Sequence, residues 1–371
     1  MSLSSEDALR LNVMLANEPL AIRIHEPSMT LFGLMSDGEV SVKLNPNVRE
    51  EQYLKGVRSF LSERALGSPG GYPLYLQRWT RMGRMREESL ERLLLLGDPT
   101  AVFAVVCAEG LSVELARRAW WASEETENAR RMLQTREVVE SETGMRLAEF
   151  LIEYLPFETE PEVIIESVAM ALQPGLLDRE KIDALWKKAQ RKSVYLVGFI
   201  TAMPDGLPGQ SGARSDYAAY DERLSVLALA GNPLARLLGK VLDSGGQAFV
   251  KACLQVLSRP SNQDVVDITL VILRKYCTEI GLEGDADLPI EALEREAACY
   301  GTDSPIARAC RQAVPELASE IEALRLLSGL GYGAVRPLMR GSTAIGSLMR
   351  RKLQPLLDPV TERLNRLVRP A

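Results

Sequence analysis

Histidine is almost missing from this sequence, since His25 is the one histidine among 371 residues. Catalysis by a Ser-His or Cys-His pair would have to use this single ring, and a metal site made of several histidines is excluded. His25 lies in IRIHEP on a predicted strand, where Glu26 points to the opposite face, so no local carboxylate–histidine pair is implied. We therefore interpret His25 as a structural or surface residue and assign no catalytic residue.

The patterns that could hold a metal ion or a nucleotide are weak. Asp285 and Asp287 have DxD spacing, but they lack the third ligand and the central glycine of an EF-hand loop. The glycines of GLGYGAV, residues 329–335, follow no predicted strand and do not form GxGxxG. The sequence therefore predicts no metal site and no cofactor.

The five cysteines are odd in number and form no CxxC pair, which is typical of reduced thiols. A sulfur-handling thiol must be exposed and have a pKa lowered by nearby cations or by a helix start. Cys310, between Arg308 and Arg311 on a predicted helix, is the candidate reactive thiol. Three others lie in apolar helical runs and are predicted to be inert: Cys107, Cys253 and Cys277.

Long apolar runs are also missing, because no stretch approaches the roughly 20 residues of a membrane helix. The amino-terminal MSLSSEDALRL carries acidic residues where a secretory signal would be basic, so we expect a cytoplasmic protein with no membrane span. With 46% hydrophobic and 25% charged residues, the composition is that of a soluble globular protein. The length suits two domains.

The fold class predicted from periodicity is mainly α, with a small β structure near the start. LAIRIHEP, MTLFGLM and EVSVKLN alternate apolar and polar residues, and the Asp-Gly pair in SDGE suits a tight turn. We therefore expect a three-stranded antiparallel β-meander near residues 20–45. From about residue 49 the apolar spacing becomes helical.

Four dipeptides predict helix starts, because each places a capping side chain before a proline. They are Asp98-Pro99, Asn232-Pro233, Ser304-Pro305 and Asp358-Pro359. Two of them share a longer frame, LLLLGDPTA and LALAGNPLA, in which one helix ends and the next begins. This resembles the helix pairs of HEAT-like solenoids, but the starts are unevenly spaced, so we expect an irregular helical array.

Composition divides the chain into four segments. Proline and glycine are concentrated in MPDGLPGQSGARSD between two long helical patterns, which indicates a boundary or a long exposed loop. We expect an N-terminal segment with the β-meander at 1–48 and a helical region at 49–203. A Pro/Gly-rich linker or loop follows at 204–215, and a second helical region with a basic tail occupies 216–371.

Charge is distributed unevenly, although the chain as a whole has a formal net charge of −6. Residues 336–371 contain eight Arg or Lys residues against Asp358 and Glu362, which gives a local charge of +6. Arginines that complement the carboxyl end of a helix are the first interpretation of the tail. Docking on an anionic partner or on the protein's own acidic body is the alternative, and contact with a membrane or a nucleic acid also stays open. The candidate residues of the tail are Arg350, Arg351, Lys352, Arg363 and Arg366.

Two segments combine aromatic rings with arginines. In SPGGYPLYLQRWTRMGRM the rings share one helical face, which favours packing, while Arg78, Arg81 and Arg84 leave a basic protein-binding ridge or a nucleic-acid contact open. In ELARRAWWASEETENARRML, Trp120 and Trp121 point about 100° apart, so one can be buried while the other lies at an edge. Packing is the first interpretation of Trp121, and an aromatic anchor for a partner is the alternative.

Several stretches resemble the family of the sulfur reduction protein DsrS. They are MSLSSEDALRLNVMLANEPLAIRI, GSPGGYPLYLQRWTRMG, ELARRAWWA and EYLPFETEPE, within about residues 1–205. The resemblance implies a soluble cytoplasmic protein encoded among the dissimilatory sulfite reductase genes of sulfur-oxidising bacteria, with an accessory role in oxidising stored sulfur. It carries no catalytic or cofactor residues to this sequence.

These observations favour a non-enzymatic accessory or regulatory protein of sulfur oxidation that presents a helical surface to a protein partner. A component of the sulfur-oxidation system is a candidate for that partner. Two alternatives stay open. One is a cysteine-based sulfur-handling protein that uses Cys310. The other is a regulatory nucleic-acid binder, which the acidic net charge disfavours.

Overall fold

The structure, a computed structural model, describes residues 3–67, 87–209, 211–281, 288–342 and 344–369. These ranges contain twenty α-helices and one three-stranded antiparallel sheet, and 69% of the chain is helical. The mainly helical class with a small N-terminal meander is therefore confirmed. Arg78, Arg81 and Arg84 lie outside the described residues.

The chain divides into two compact units, Met1–Pro156 with Gln173–Leu177 and Phe157–Leu172 with Asp178–Ala371. The first unit contains α1 (Ser5–Ala16), β1 (Ala21–His25), β2 (Thr30–Leu34), β3 (Glu39–Lys43), α2 (Glu50–Leu66), α3 (Glu87–Leu93), α4 (Pro99–Val106), α5 (Val113–Ala122), α6 (Thr126–Met132), α7 (Arg136–Val139) and α8 (Glu142–Tyr154).

The β-meander lies where it was predicted and packs on the helices around it. Its order is β1-β2-β3, with Ala21 opposite Leu34 in the first pair and Leu34 opposite Glu39 in the second. One core joins this sheet to α1 and α2 through buried apolar side chains, including Leu11, Ile22, Leu31 and Leu61. Such a small sheet gains its stability from this packing.

The second unit contains α9 (Pro161–Ala171), α10 (Arg179–Ala189), α11 (Ser193–Ala202), α12 (Asp221–Leu229), α13 (Pro233–Leu242), α14 (Ser244–Ser258), α15 (Gln263–Tyr276), α16 (Ile290–Asp303), α17 (Pro305–Ala313), α18 (Ala318–Ser328), α19 (Tyr332–Met339) and α20 (Gly346–Val368). Helix α9 packs on α11, α12 on α13, α16 on α18, and α14 and α18 on α20. The unit is thus an irregular array of helix pairs.

Three of the four predicted helix starts are confirmed. Helix α4 begins at Pro99, with Asp98 Oδ1 accepting from the N–H of Thr100 at 2.9 Å. Helix α13 begins at Pro233, where Asn232 Oδ1 accepts from two backbone N–H groups at 3.0 and 3.1 Å. Helix α17 begins at Pro305 without a side-chain hydrogen bond from its cap.

The fourth predicted start, Asp358-Pro359, is wrong because it lies inside α20. Helical spacing continues through it, as the buried residues Met349, Leu353, Leu356, Leu357, Val360, Leu364 and Leu367 form one apolar stripe. Pro355 and Pro359 each remove one backbone N–H from the helical ladder. Pro355 is exposed and Pro359 is partly exposed, so the helix accommodates both on its outer side.

The predicted linker at 204–215 lies within the second unit and leads from α11 to α12. Its Arg214 is buried, with its side chain 1% exposed, and ion-pairs with Glu320, which is equally buried. The division between the two compact units falls instead at residues 156–178. This segment is rich in glycine and proline, yet the buried ion pair of Arg214 with Glu320 holds it to the second unit.

The contact between α9 and α11 depends on Gly198. A Cβ atom added at Gly198 would lie 2.5 Å from Cβ and Cγ1 of Val168 and 3.2 Å from the carbonyl oxygen of Ile165. The helices can approach this closely because glycine has no side chain.

Replacing Gly198 should therefore separate two packed helices. We expect Gly198→Ala to lower the free energy of unfolding of the second unit by about 2 kcal/mol, the cost of overpacking a well-filled core. Urea unfolding followed by circular dichroism measures this. The control is Gly206→Ala, where the added Cβ would meet no atom within 4 Å. Equal losses in the two variants would contradict the close approach.

Candidate protein-binding groove

Helix α20 presents one apolar face to the second unit and one polar face to solvent. Its buried stripe, described above, packs on α14 and α18. The exposed side carries Ser347, Leu348, Arg351, Lys352, Gln354, Pro355 and Asp358. Because residues three and four apart share a helical face, Leu348 lies beside Arg351 and Lys352.

An open groove of about 450 Å³ lies along this helix. Its other wall comes from the end of α14 and the residues after it. The lining residues, which we call the basic groove, are Leu257, Ser258, Pro260, Ser347, Arg350, Arg351, Gln354, Leu357, Asp358 and Thr361. Arg350 donates from Nη1 to the carbonyl oxygen of Pro260 at 3.3 Å, which fixes one cation between the two walls.

The cations at 350–352 are not neutralised by neighbouring carboxylates. Arg350 has a carbonyl partner, and Lys352 donates from Nζ to Ser342 Oγ at 2.9 Å. Among the described residues, no carboxylate pairs with any of the three. Asp358 is the one acidic residue in the described lining of the groove.

Elsewhere on the surface, helical arginines commonly pair with a glutamate one turn away. Arg117 and Arg118 share Glu114, and the hydrogen bond from Arg117 and the proximity of both guanidinium groups lower the pKa of Glu114 to about 2, although burial opposes this. Arg136 pairs with Glu140 in the same way. The unpaired triplet on α20 is therefore a distinct concentration of positive charge in an acidic chain.

Arg363 and Arg366, predicted as part of the same surface, lie further along α20 and are used differently. Arg366 donates from Nη2 to Glu362 Oε1 at 2.5 Å, and this hydrogen bond lowers the pKa of Glu362. Arg363 is largely buried, with its Nη1 4.0 Å from Glu362 Oε1. Neither residue lines the basic groove, so the structure separates them from Arg350, Arg351 and Lys352.

Trp121 contacts the β-meander in the first unit. Its Nε1 donates to Glu39 Oε2 at 3.0 Å, and the guanidinium of Arg23 lies 4.8 Å from its ring centroid while also pairing with Glu39 at 3.0 Å. The neighbouring Trp120 packs edge-on against Phe150 at 4.7 Å. Both rings therefore make contacts within the first unit, and both are partly buried.

Cys310 lacks the environment that the thiol hypothesis requires. Its side chain is fully buried, and its Sγ donates to Asn232 Oδ1 at 3.6 Å. Burial raises the pKa of the Cys310 thiol to about 11, with the hydrogen bond to Asn232 opposing the shift. The flanking arginines do not reach the thiol, because successive helical residues point in different directions.

Unlike Cys310, two other cysteines are exposed: Cys107, which was predicted to be inert in an apolar run, and Cys299. Cys107 ends α4 at its C-cap and is exposed, although partial burial raises the pKa of its thiol. Cys299 is exposed in an open groove of about 610 Å³. The cation beside Cys299 in that groove, Arg325, is bound by both carboxylate oxygens of Glu296.

The sequence could not show that α20 lies beside Ser258 and Pro260, because about ninety residues separate the two walls of the groove. The RRK run itself was detectable as uncompensated charge. Gln354 and Thr361, which also line the groove, were missed, since single polar residues on a helix carry no such signal.

Comparisons of the chain with protein-family models, with curated proteins and with solved structures found no match. Within the described ranges, no helix combines the length and the hydropathy needed to cross a membrane. The same ranges contain no group of three or more His, Cys, Asp or Glu residues that could hold a metal ion. The basic groove is thus the candidate site with the clearest chemical character.

Proposed function

We propose that this protein is a non-enzymatic accessory protein of sulfur oxidation that binds a protein partner through the basic groove. The observation that carries the proposal is the pair Arg350 and Arg351, which line an open groove and have no carboxylate partner among the described residues. The exposed Lys352 follows them on α20, outside the lining, and adds to the local positive charge. The resemblance to the DsrS family supports the sulfur context.

Unpaired cations at a groove favour binding because their charge is still available to a partner. Complementary charge raises association rates and disfavours partners of the wrong sign. Screening limits the influence of distant charges to about 8 Å at physiological ionic strength, so the acidic residues elsewhere weaken this local field little. An acidic chain can therefore bind an anionic partner at one basic site.

Capture from a lysate of a sulfur-oxidising bacterium, after chemical cross-linking, tests the proposal. We expect the wild-type protein to enrich a component of the sulfur-oxidation system, and R350E/R351E to retain less than about a tenth of it, because reversing two charges turns attraction into repulsion. Quantitative mass spectrometry measures the recovered partner.

The matched control is R295E/R308E. Both arginines are exposed helical residues of the second unit, on α16 and α17, and the substitution changes the net charge equally. We expect this variant to capture the partner as the wild type does. Equal losses in both variants, or no specific partner for the wild type, would contradict the proposal.

A further inference from the structure

We infer that the occupant of the basic groove is an acidic peptide segment of another protein that carries an aliphatic or aromatic side chain next to its carboxylates. This inference rests on the proposed function and names the chemistry of the partner. Two features support it: the arginines of the groove, which have no carboxylate partner among the described residues, and the exposed apolar side chains of Ile345 and Leu348, which lie outside the lining but close to Arg351 along the chain.

The cations select carboxylates. Arg350 and Arg351 line the groove, and arginine can bind a carboxylate through two parallel N–H donors. Gln354 and Thr361 add neutral hydrogen-bonding groups along the same helix. Asp358 is the one carboxylate in the described lining, and the two arginines lie about two helical turns before it on α20.

Apolar side chains adjoin the cations at the start of α20. Ile345 is 82% exposed and Leu348 is 49% exposed, and helical spacing places Leu348 on the same face as Arg351 and Lys352. Exposed aliphatic residues beside fixed charges are suited to a segment that mixes carboxylates with an apolar anchor. A purely anionic ligand would leave Ile345 and Leu348 uncovered.

Two backbone carbonyls on the same helix lack their usual donor. Pro355 has no N–H for the carbonyl of Arg351, and Pro359 has none for the carbonyl of Pro355. Helix α20 therefore has two fewer backbone hydrogen bonds than an uninterrupted helix of the same length.

A nucleic acid fits these features less well than a peptide. A phosphodiester backbone has no apolar side chain that could cover Ile345 and Leu348. None of the described residues that line the groove is aromatic, so unpaired bases would find no ring on which to stack.

Fluorescence anisotropy with labelled probes and the full chain tests the inference. The probes are an Asp/Glu-rich peptide with one central leucine, the same peptide with leucine replaced by serine, its Asn/Gln analogue, and single-stranded DNA of similar length. We expect the first peptide to bind best, the serine peptide about tenfold more weakly, and the Asn/Gln analogue more than tenfold more weakly. Binding of the acidic peptide should weaken as salt is added.

Variants of the protein locate the binding site. R350E/R351E should weaken binding of the acidic leucine peptide by more than about tenfold, and R295E/R308E by less than about twofold. L348S should remove most of the difference between the leucine and serine peptides while leaving the salt dependence intact. Thermal unfolding of each variant tests whether the substitutions preserve the fold, which matters most for Arg350 because it is partly buried and donates to the Pro260 carbonyl.

Several results would overturn the inference: equal binding of the acidic and Asn/Gln peptides, tighter binding of DNA, or no effect of R350E/R351E. Self-association of the chain that R350E/R351E abolishes, seen by analytical ultracentrifugation, would instead make a second copy the occupant. If the peptides fail while cross-linked capture still depends on Arg350 and Arg351, the inference alone fails. If the peptides bind but no cellular partner is captured, the accessory function fails.

Discussion

Arg214→Met should lower the free energy of unfolding of the second unit by about 4 kcal/mol, the cost of leaving one member of a buried ion pair without its partner. Arg214 Nη1 donates to Glu320 Oε1 at 2.6 Å, and both side chains are 1% exposed. Removing the guanidinium would leave the Glu320 carboxylate buried with Ser319 Oγ as its remaining described donor, at 2.9 Å. Urea unfolding followed by circular dichroism measures the loss.

Arg214 also organises the chain around it, so its loss has structural consequences. Its Nε and Nη2 donate to the two carboxylate oxygens of Asp216 at 2.7 and 3.0 Å. Its Nη1 also donates to the carbonyl oxygen of Arg366 at 3.2 Å, and its backbone N–H donates to Leu242 at 2.9 Å. One side chain thus connects the loop after α11 with α18 and the end of α20.

Two comparisons test this explanation. Arg236→Ala removes an exposed ion pair with Glu279 and should cost less than about 1 kcal/mol. The double variant R214M/E320L removes both buried charges, so it should be more stable than R214M alone. If R214M/E320L were less stable than R214M, the buried carboxylate would not be the origin of the loss.

Asp7→Ala should destabilise the first unit by about 3 kcal/mol, since it removes a buried carboxylate that accepts several hydrogen bonds. Asp7 is fully buried and accepts from the hydroxyl of Tyr53, from the backbone N–H of Asn45 at 2.9 Å, and from its side-chain amide at 3.3 Å. These bonds connect α1 to α2 and to Asn45, two residues after the end of β3. The control is Glu6→Ala on the exposed side of α1, which should cost less than about 1 kcal/mol.

The same cluster should make stability depend on pH at both extremes. Burial raises the pKa of Asp7, but the hydrogen bonds from Tyr53, Asn45 and Ser4 outweigh it, so the pKa of Asp7 in the folded state lies below its ordinary value of 3.8. Its stabilisation is therefore present above that ordinary value and is lost as pH falls through the folded-state pKa. Burial and the bond to Asp7 raise the pKa of Tyr53 from 10.0 to about 12, so its contribution is lost as pH rises through that range.

Comparison of wild type with Asp7→Asn isolates this effect. The variant lacks the ionisable group, so its unfolding free energy should fall less steeply below pH 4 than that of the wild type. Denaturation at a series of pH values measures both curves. Parallel acid limbs in the two proteins would show that Asp7 is not responsible for acid sensitivity in the first unit.

Periodicity predicted the helical class and the β-meander because both depend on local patterns of apolar residues. The predicted helix start at Asp358-Pro359 was wrong because two sequence patterns overlap there. The Asp-Pro pair favours a new helix, but the apolar residues of α20 continue at helical spacing through it, and the helix is uninterrupted. Arg214 was missed because it lies in a segment rich in glycine and proline, and its partner Glu320 is distant in sequence. Local composition cannot show that such a segment is anchored by a buried charge.

Only the positive charge of the candidate site could be predicted from the sequence. The sequence indicated Arg350, Arg351 and Lys352 as candidate interaction residues, and it indicated Arg363 and Arg366 equally. The structure distinguishes the two sets, because Arg363 and Arg366 lie beside the carboxylate of Glu362. For Cys310, the flanking arginines suggested a lowered pKa, whereas the side chain faces the core and the pKa of its thiol is raised. Sequence gives the charges near a residue, but the direction of each side chain depends on packing.

Two prolines, Pro355 and Pro359, interrupt the backbone hydrogen bonding of α20. Side chains from other elements bind the last turn of this helix. Arg214 donates to the carbonyl of Arg366, and Gln247 donates to the carbonyl of Leu367 at 2.9 Å. Pro355 and Pro359 lie within the stretch of α20 that lines the basic groove, from Ser347 to Thr361, and each lacks the N–H of a backbone hydrogen bond, which lowers the resistance of the helix to bending there. The first turns of α20, which carry Arg350 and Arg351, are therefore coupled less rigidly to the fixed last turn than they would be in an uninterrupted helix.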